Sequence, residues 1–506
     1  MVSDPVPPAL LARKDNDTDA RNAPAVRPIP DTFWLVVILL LALGFRLVSL
    51  NAPLWWDEIM TYETHLRMGW GDVLQSYSKN HHYLHNIIAK VVMAVFGDAP
   101  WALRLPALAL GLASIAAMWV LAREIAGALP AHATALLMAL SYHHIWFSQN
   151  ARGYTGLAFF CTLGLLLFLR GLKSGQQKTW LGFGAVLAAA VFTHLTAAFF
   201  FATLGLAWLA ILAIRAVQGS LARAVVTLPF IGFAVGGVLT VLLYLPVLPS
   251  LLADVSGVAE TSAGDVMQEY QNPLWTAYEA IRSGVGQAGP LVAVVGLLVV
   301  ALSCLGAFAL RKSAPLFAPI TLANIVLTAG LLMLVGMRVW PRFFFIDIPF
   351  LLLLIVLGVQ LCCMIMARII GARAGAALFP MALVAMALIS ATMALRNYSA
   401  PKQDLAAAFA HAEATRTPGG RLLTIAPDND FLMQHFNADW PMIFSDDEYR
   451  AAMAQPGPIT VIVIFPDRSF RALPSLSADR DSQTLTEESY FPGTLGDGGL
   501  YVLHRP

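Results

Sequence analysis

Charge is scarce in this sequence. Only 12% of its 506 residues are Asp, Glu, Lys or Arg, about half the share found in soluble domains. Hydrophobic residues make up 58%. That balance excludes an ordinary soluble enzyme and reads as a polytopic membrane protein. The formal net charge is +1, and no basic block suggests a nucleic-acid partner. Cysteine is equally rare. Cys161, Cys304, Cys362 and Cys363 all lie in apolar segments without metal-ligand spacing, and they read as small core residues. The first apolar run has no small-residue cleavage site before Trp55. It therefore reads as a retained span rather than a cleaved leader.

What the chain does have is long apolar runs, and they give the expected fold class: an all-α polytopic bundle. About eleven spans of about 20 residues fit. The first is Phe33 to Val48. Others cover about 101–121, 131–147 and 154–169, a pair split by a short turn at Thr193-His194, a seventh closing near Leu245, then 290–310, a ninth ending near Gly336, 343–366 and a last ending near Arg396. Arg123, Arg170, Lys173, Lys178, Arg215, Arg223, Arg311, Lys312, Arg368 and Arg373 all fall in loops of one side, and nearly all loop acids fall on the other. Basic loops stay cytoplasmic. Residues 1–30, with Arg13, Lys14, Arg21 and Arg27, then read as a disordered cytoplasmic tail. Residues 31–396 are the transmembrane domain, with long outer loops at 50–100 and 250–287. Leu84, Ile87, Ile88, Val91, Val92 and Val95 recur at helical spacing, which predicts a helix lying in or dipping from the headgroups. Residues 397–506 alternate strand and helix patterns: Arg421 to Ile425, Thr460 to Phe465, and a helix over Asp404 to Thr415. They predict a small extracytoplasmic α/β domain.

The unusual polar residues gather at the outer ends of spans. Trp55-Trp56-Asp57-Glu58 follows the first span, at the level where tryptophan favours the headgroups. Paired acids at such a depth are costly and mark chemistry or a pathway; the plain alternative is a pair of solvated loop acids. Arg104 lies near the start of the second span. Gln149, Arg152 and Tyr154 precede the fourth, His194 follows the fifth, and Arg342 precedes the tenth. Arginine suits a phosphate, which it grips bidentately. A carboxylate suits a general base that deprotonates an incoming hydroxyl or amine, and apolar walls suit a lipid tail. Together these describe transfer of a group from a lipid-linked phosphate to an acceptor outside the membrane. Arg104 and Arg152 have the alternative of snorkelling to headgroups, and His194 that of a satisfied polar residue at a span end. His82 and His85 are the weak candidates for a metal, without tight ligand spacing.

The ordered set Asp57-Glu58, Arg104-Leu105-Pro106, Ser148-Gln149-Asn150-Ala151-Arg152-Gly153-Tyr154, Thr193-His194 and Pro341-Arg342-Phe343 resembles the C-superfamily of membrane glycosyltransferases. Within it, the pattern is similar to the protein O-mannosyltransferases and their bacterial relatives, including the lipid A aminoarabinose transferases. The resemblance spans residues 33–396. It implies a polyprenyl-phosphate sugar donor, transfer with inversion, and residence in a bacterial inner membrane. It implies Asp57 as base beside Glu58, with Arg152 and Tyr154 near the donor phosphate and Arg342 as a second phosphate ligand. It does not require a divalent metal for the transfer itself. Family members often carry His-x-Pro where this chain has His82-Tyr83-Leu84-His85, which leaves the role of His82 open. The rival readings are a lipid-linked polysaccharide polymerase or ligase and a lipid-linked solute transporter. The latter is disfavoured because no repeat of broken spans occurs in two halves. The acceptor (lipid, glycan or protein) is not encoded in any readable motif.

Overall fold

A computed structural model describes residues 30–506 except residue 79 and residues 258–267, 286–290 and 427–430. The N-terminal tail, apart from Pro30, and the middle of the second outer loop lie outside the described residues. The membrane part begins with α1 (Asp31–Leu47). A short α2 (Trp56–Thr61) runs directly into a π-turn over Tyr62–Leu66 and is followed by α3 (Trp70–Gln75) and α4 (Tyr83–Phe96). Next come α5 (Pro100–Ala126), α6 (Ala128–Ala139), α7 (Tyr142–Ser148), α8 (Tyr154–Ser174), α9 (Gln177–Thr193), α10 (Ala197–Val217) and α11 (Arg223–Tyr244). The second outer loop holds α12 (Leu248–Gly257) and α13 (Pro273–Val285). The bundle closes with α14 (Leu291–Leu310), α15 (Phe317–Leu334), α16 (Ile348–Ile370) and α17 (Ala372–Leu395). Eight of these helices, some extended by a short 3-10 turn, are long and apolar enough to cross a membrane. The helices α1 and α9, each of 17 residues, are close to that length. Many side chains on the long helices point outward, such as Leu297 and Leu334. That is the pattern of a surface solvated by lipid, where apolar residues need no further partner.

The third expected span is corrected by the structure. It is broken: α6 has only 12 residues and ends at Ala139, and α7 restarts at Tyr142 with Ser141 as its cap, the Ser141 hydroxyl accepting from the His144 amide. The break has a chemical cause in α1. Arg46 is fully buried there, and among the described residues no carboxylate pairs with it. Its Nη1 donates to Ala42 O (2.8 Å) and Ala139 O (3.0 Å), its Nη2 to Met138 O (3.3 Å) and His144 Nδ1 (2.8 Å), and its Nε to Ser148 Oγ (3.0 Å). All five donors are used. Two of the acceptors are carbonyls at the end of α6, which a continuous helix would have consumed. The helices α14 and α16 cross closely at Gly306 and Gly358, where an added Cβ would meet the Leu354 and Leu302 backbones at 2.0 and 2.1 Å. Small residues permit such contact between membrane helices.

The two ends of the bundle differ. At one end Asp31 pairs with Arg123 (2.7 Å) and Glu124 with Arg170. The other end carries α2–α4, the α7–α8 turn and the C-terminal domain. That domain contains α18 (Leu405–Thr415), β1 (Arg421–Ile425), α19 (Phe431–Phe436), β2 (Met442–Ile443), α20 (Asp446–Met453), β3 (Ile459–Ile464), α21 (Pro466–Ala472), α22 (Pro474–Asp481), β4 (Thr486–Phe491) and β5 (Leu500–Arg505). The sheet order is β2-β1-β3-β5-β4. The first three strands are parallel, and β5 and β4 are added antiparallel. The fully buried β3 reads as an apolar run interrupted only by Thr460, as expected of a strand covered on both faces. The edge strand β4, mostly exposed and of sequence TEESYF, carries too little apolar signal to be read from sequence.

Candidate active site

The site is built on α2. The expectation that Trp55 and Trp56 sit among headgroups is corrected: both are about 4% exposed and belong to the core of the C-terminal domain. Trp56 packs edge-on against Phe431 and Phe465, with ring centroids 4.9 and 5.2 Å away. Its amide donates to Gln403 Oε1 (3.3 Å). Trp55 turns the other way, and its indole N–H donates to Asn150 Oδ1 (3.2 Å). These anchors fix where the next two residues point.

Glu58 and Arg104, both expected to meet substrate, meet each other instead. Glu58 is fully buried. Its carboxylate accepts from Arg104 Nε (2.8 Å) and Nη2 (2.6 Å), from the Ala151 amide (2.7 Å) and from the Trp55 amide (3.4 Å). Burial pushes its acidity up, but Arg104, Lys402 and the Ala151 amide outweigh this and hold it below the usual carboxylate range. Arg104 uses its other donors on Leu50 O, Ala52 O and Pro53 O. Nothing in this pair is left for a ligand. Gln149 is also turned away: its amide nitrogen donates to Arg46 O (3.0 Å) and Val48 O. Residues 148–152 thus all take partners in the first span and first outer loop: Ser148 and Gln149 meet Arg46, Asn150 meets Trp55, Ala151 meets Glu58 and Arg152 meets Asp57. That is why those residue types occur together.

Asp57 faces the opposite way and is about one-sixth exposed, 17%. Arg152 Nη1 lies 3.0 Å and Arg342 Nη1 3.6 Å from its Oδ2. Arg152 Nε donates to His82 Nε2 (2.9 Å). Arginine only donates, so the His82 proton sits on Nδ1. Burial and then the Arg152 charge hold His82 well below its usual range, and the same two causes with Arg342 hold His194 down to about 3. Both are neutral at physiological pH. Tyr154 closes a triangle with them: its ring centroid is 5.4 Å from His82 and 5.1 Å from His194, and the two imidazoles are 4.7 Å apart. Gly153 is required here, because a Cβ would meet Thr193 O at 2.9 Å and His82 at 3.1 Å. Asp57, Arg152, Tyr154, His194 and Arg342 are therefore brought together, and His82 joins them. Two guanidinium groups share one carboxylate. Arg342 Nε is buried without a hydrogen-bond partner, and Arg152 Nη1 meets only the Asp57 carboxylate, outside hydrogen-bond geometry. The arrangement has one positive charge to spare and open donors, and suits an anion of phosphate type.

Among the described residues, no three His, Cys, Asp or Glu side chains are grouped to hold a metal. His82 and His85 find no third ligand, and His82 is committed to Arg152. Asp347, on the turn that carries Arg342, accepts from Asn324 Nδ2 (2.8 Å). Sequence reasoning passed over Arg46, Lys402 and Gln403. A charge inside the first apolar run was a signal for Arg46; the other two have none. The Lys402 ammonium donates to Gln149 O and lies 5.3 Å from the Trp146 ring. Burial chiefly, with the Arg104 charge, brings it down from 10.5 to about 7 against the pull of Glu58. Between those values the unfolded chain binds more protons, so this group makes stability rise with pH. Relative to Lys402→Met, the wild type is expected to gain stability from pH 7 to 10.5. Thermal melts of both across that range check it, and a flat difference would refute it.

Comparison with known proteins bears on the fold. The family model described as dolichyl-phosphate-mannose-protein mannosyltransferase matches residues 80–245. No curated protein matches in sequence. Among solved structures, ArnT from Cupriavidus metallidurans in the apo state is 15% identical, with a TM-score of 0.51 over 94% of this chain and 98% of that one. The same protein bound to undecaprenyl phosphate is 14% identical, with a TM-score of 0.50 over 94% and 97%. The Archaeoglobus fulgidus oligosaccharyltransferase tethered to an acceptor peptide is 12% identical, with a TM-score of 0.53 over 94% and 74%. The chain has the C-type membrane glycosyltransferase fold. Its particular resemblance is to the mannosyltransferase family whose model covers the α4–α11 region.

Proposed function

We propose that this protein transfers a sugar from a polyprenyl monophosphate to an acceptor outside the cytoplasm, with inversion at the anomeric carbon. The carrying observation is the convergence of Arg152 and Arg342 on Asp57 with donors to spare. A donor phosphate would draw both guanidinium groups away from Asp57, freeing that carboxylate to act as base. The acceptor oxygen or nitrogen then attacks the sugar C1 and gives its proton to Asp57. The C1–O bond to phosphate breaks, and the lipid phosphate leaves with its charge on Arg152 and Arg342. Neutral His82 holds Arg152 in register. ArnT bound to undecaprenyl phosphate and an Archaeoglobus oligosaccharyltransferase in complex with a dolichol-phosphate share this fold and support the lipid-phosphate assignment. The basic loops opposite the site support a bacterial inner-membrane enzyme with its N-terminus cytoplasmic and its C-terminal domain periplasmic.

The test is donor consumption. Purified protein is incubated with a panel of polyprenyl-monophosphate sugars and a membrane extract supplying acceptors, and loss of donor is followed by mass spectrometry. Consumption is expected for at least one donor. Failure with every monophosphate, together with use of diphosphate-linked oligosaccharides, would overturn the proposal in favour of a polymerase or ligase. Arg152→Lys, which keeps the charge but loses the fork, is expected to lower kcat/KM by about 100-fold. Steady-state kinetics with the active donor check that value, and an unchanged rate would remove Arg152 from the phosphate site.

A further inference from the structure

A second cleft lies between the first outer loop and the C-terminal domain. It encloses about 390 Å³, within reach of the range of small-ligand sites. Its walls come from Pro53 and Leu54 before α2, Tyr62 on the turn that follows α2, Asp98 just before α5, Ala406 on α18, and His435 and Phe436 on α19. The Tyr62 hydroxyl donates to Asp98 Oδ2 (2.7 Å). Glu63, almost fully buried, binds His435 Nδ1 (2.8 Å) with one oxygen and Arg67 (2.8 Å) with the other. His435 is thereby fixed in orientation, with its proton on Nδ1 in the neutral ring. Among the described residues neither Asp98 Oδ1 nor His435 Nε2 has a hydrogen-bond partner. The polar wall therefore offers the Asp98 carboxylate oxygen as an acceptor, with His435 Nε2 beside it, while the remaining walls are apolar and aromatic.

This chemistry selects its ligand class. Acceptors repel phosphate and carboxylate, which bring only acceptors of their own. They welcome a group rich in O–H donors. A sugar ring supplies several hydroxyls on its edges and an apolar C–H face for Leu54 and Phe436. We propose that this cleft binds a neutral sugar ring, presented by a glycan or by a glycolipid headgroup, as the acceptor-side subsite of the enzyme. Tyr62 follows Asp57 by five residues on one helical run, about 7 Å along its axis but about 140° around it, so the cleft lies on the Glu58 side of the helix and would hold a part of the acceptor remote from its reacting group. The assignment of the sugar as acceptor rests on the glycosyltransferase reading; the binding itself does not.

The experiment uses the full chain in detergent and saturation-transfer NMR with methyl glycosides of mannose, glucose and galactose, and with methyl glucuronide as the anionic counterpart. At least one neutral hexoside is expected to bind and the glucuronide to be excluded. Asp98→Asn and Tyr62→Phe should each weaken binding about tenfold or more, with thermal melts unchanged, while Asp57→Asn should leave it intact. A nanodisc arm containing a neutral glycosyl diacylglycerol separates the sources: displacement of the hexoside identifies a glycolipid headgroup, and its absence a soluble glycan. Binding of no hexoside, equal binding of the glucuronide, or binding unaffected in both well-folded variants would overturn the proposal. Hexoside binding without any donor consumption would leave the cleft standing and remove only its acceptor role.

Discussion

Replacing Asp57 by Asn is expected to lower turnover by about 10²–10⁴-fold, the usual contribution of a positioned general base. Donor binding should persist or tighten. In the wild type, Arg152 and Arg342 are held 3.0 and 3.6 Å from Asp57 Oδ2, and a donor phosphate must compete with that carboxylate for both. The neutral amide removes the competitor while keeping the side chain's shape. The expected signature is therefore a collapse of kcat with KM for donor equal or lower, the pattern of an interaction needed only in the transition state. Single-turnover assays with the active donor, paired with a donor-binding measurement, check it. Intact turnover would remove Asp57 as base; lost donor binding would mean that Asp57 orders the arginines rather than competing with the donor.

The second large effect concerns its neighbour. Glu58→Ala is expected to destabilise the protein by about 3–5 kcal/mol, because it leaves the Arg104 guanidinium buried with an uncompensated charge. The same change frees the Ala151 amide, which Glu58 holds at 2.7 Å, and so loosens the turn that aims Arg152. Activity should fall with stability. The double variant Glu58→Ala, Arg104→Met should recover much of the stability, since neither charge of the pair is left buried without the other, but not the activity. A double-mutant cycle by thermal or denaturant unfolding checks the coupling. Additive losses would show that the pair does not act as a unit. Two adjacent carboxylates thus have opposite uses, one ordering the site and the other facing it.

Nothing in the dipeptide Asp57-Glu58 says which acid does which. Adjacent residues on a helix point about 100° apart, and the choice falls to whichever side meets Arg104. Arg104, Arg152 and Arg342 are equally alike as letters. One saturates a carboxylate and three carbonyls, and two keep donors open. Gln149 looked like a substrate contact for the same reason: an amide at a span end advertises hydrogen bonding but not its partner. The motif residues were nevertheless legible as a set, because their positions at the ends of successive spans all fall on one face of any bundle that alternates direction.

Composition and periodicity by themselves determined the membrane bundle, its sidedness in charge and the α/β character of the last hundred residues. These depend on how many apolar residues follow one another and at what period, which is local information. The break in the third span, the burial of Trp55 and Trp56 in the C-terminal domain, the division of labour between Asp57 and Glu58, and the sugar-sized cleft walled by Tyr62, Asp98 and His435 were decided only in three dimensions. Each depends on a partner far away in the chain, such as Arg46 for Ala139, Phe431 for Trp56 and Arg104 for Glu58. A sequence lists donors, acceptors and charges; the tertiary fold determines which of them are already satisfied and which are left facing a ligand.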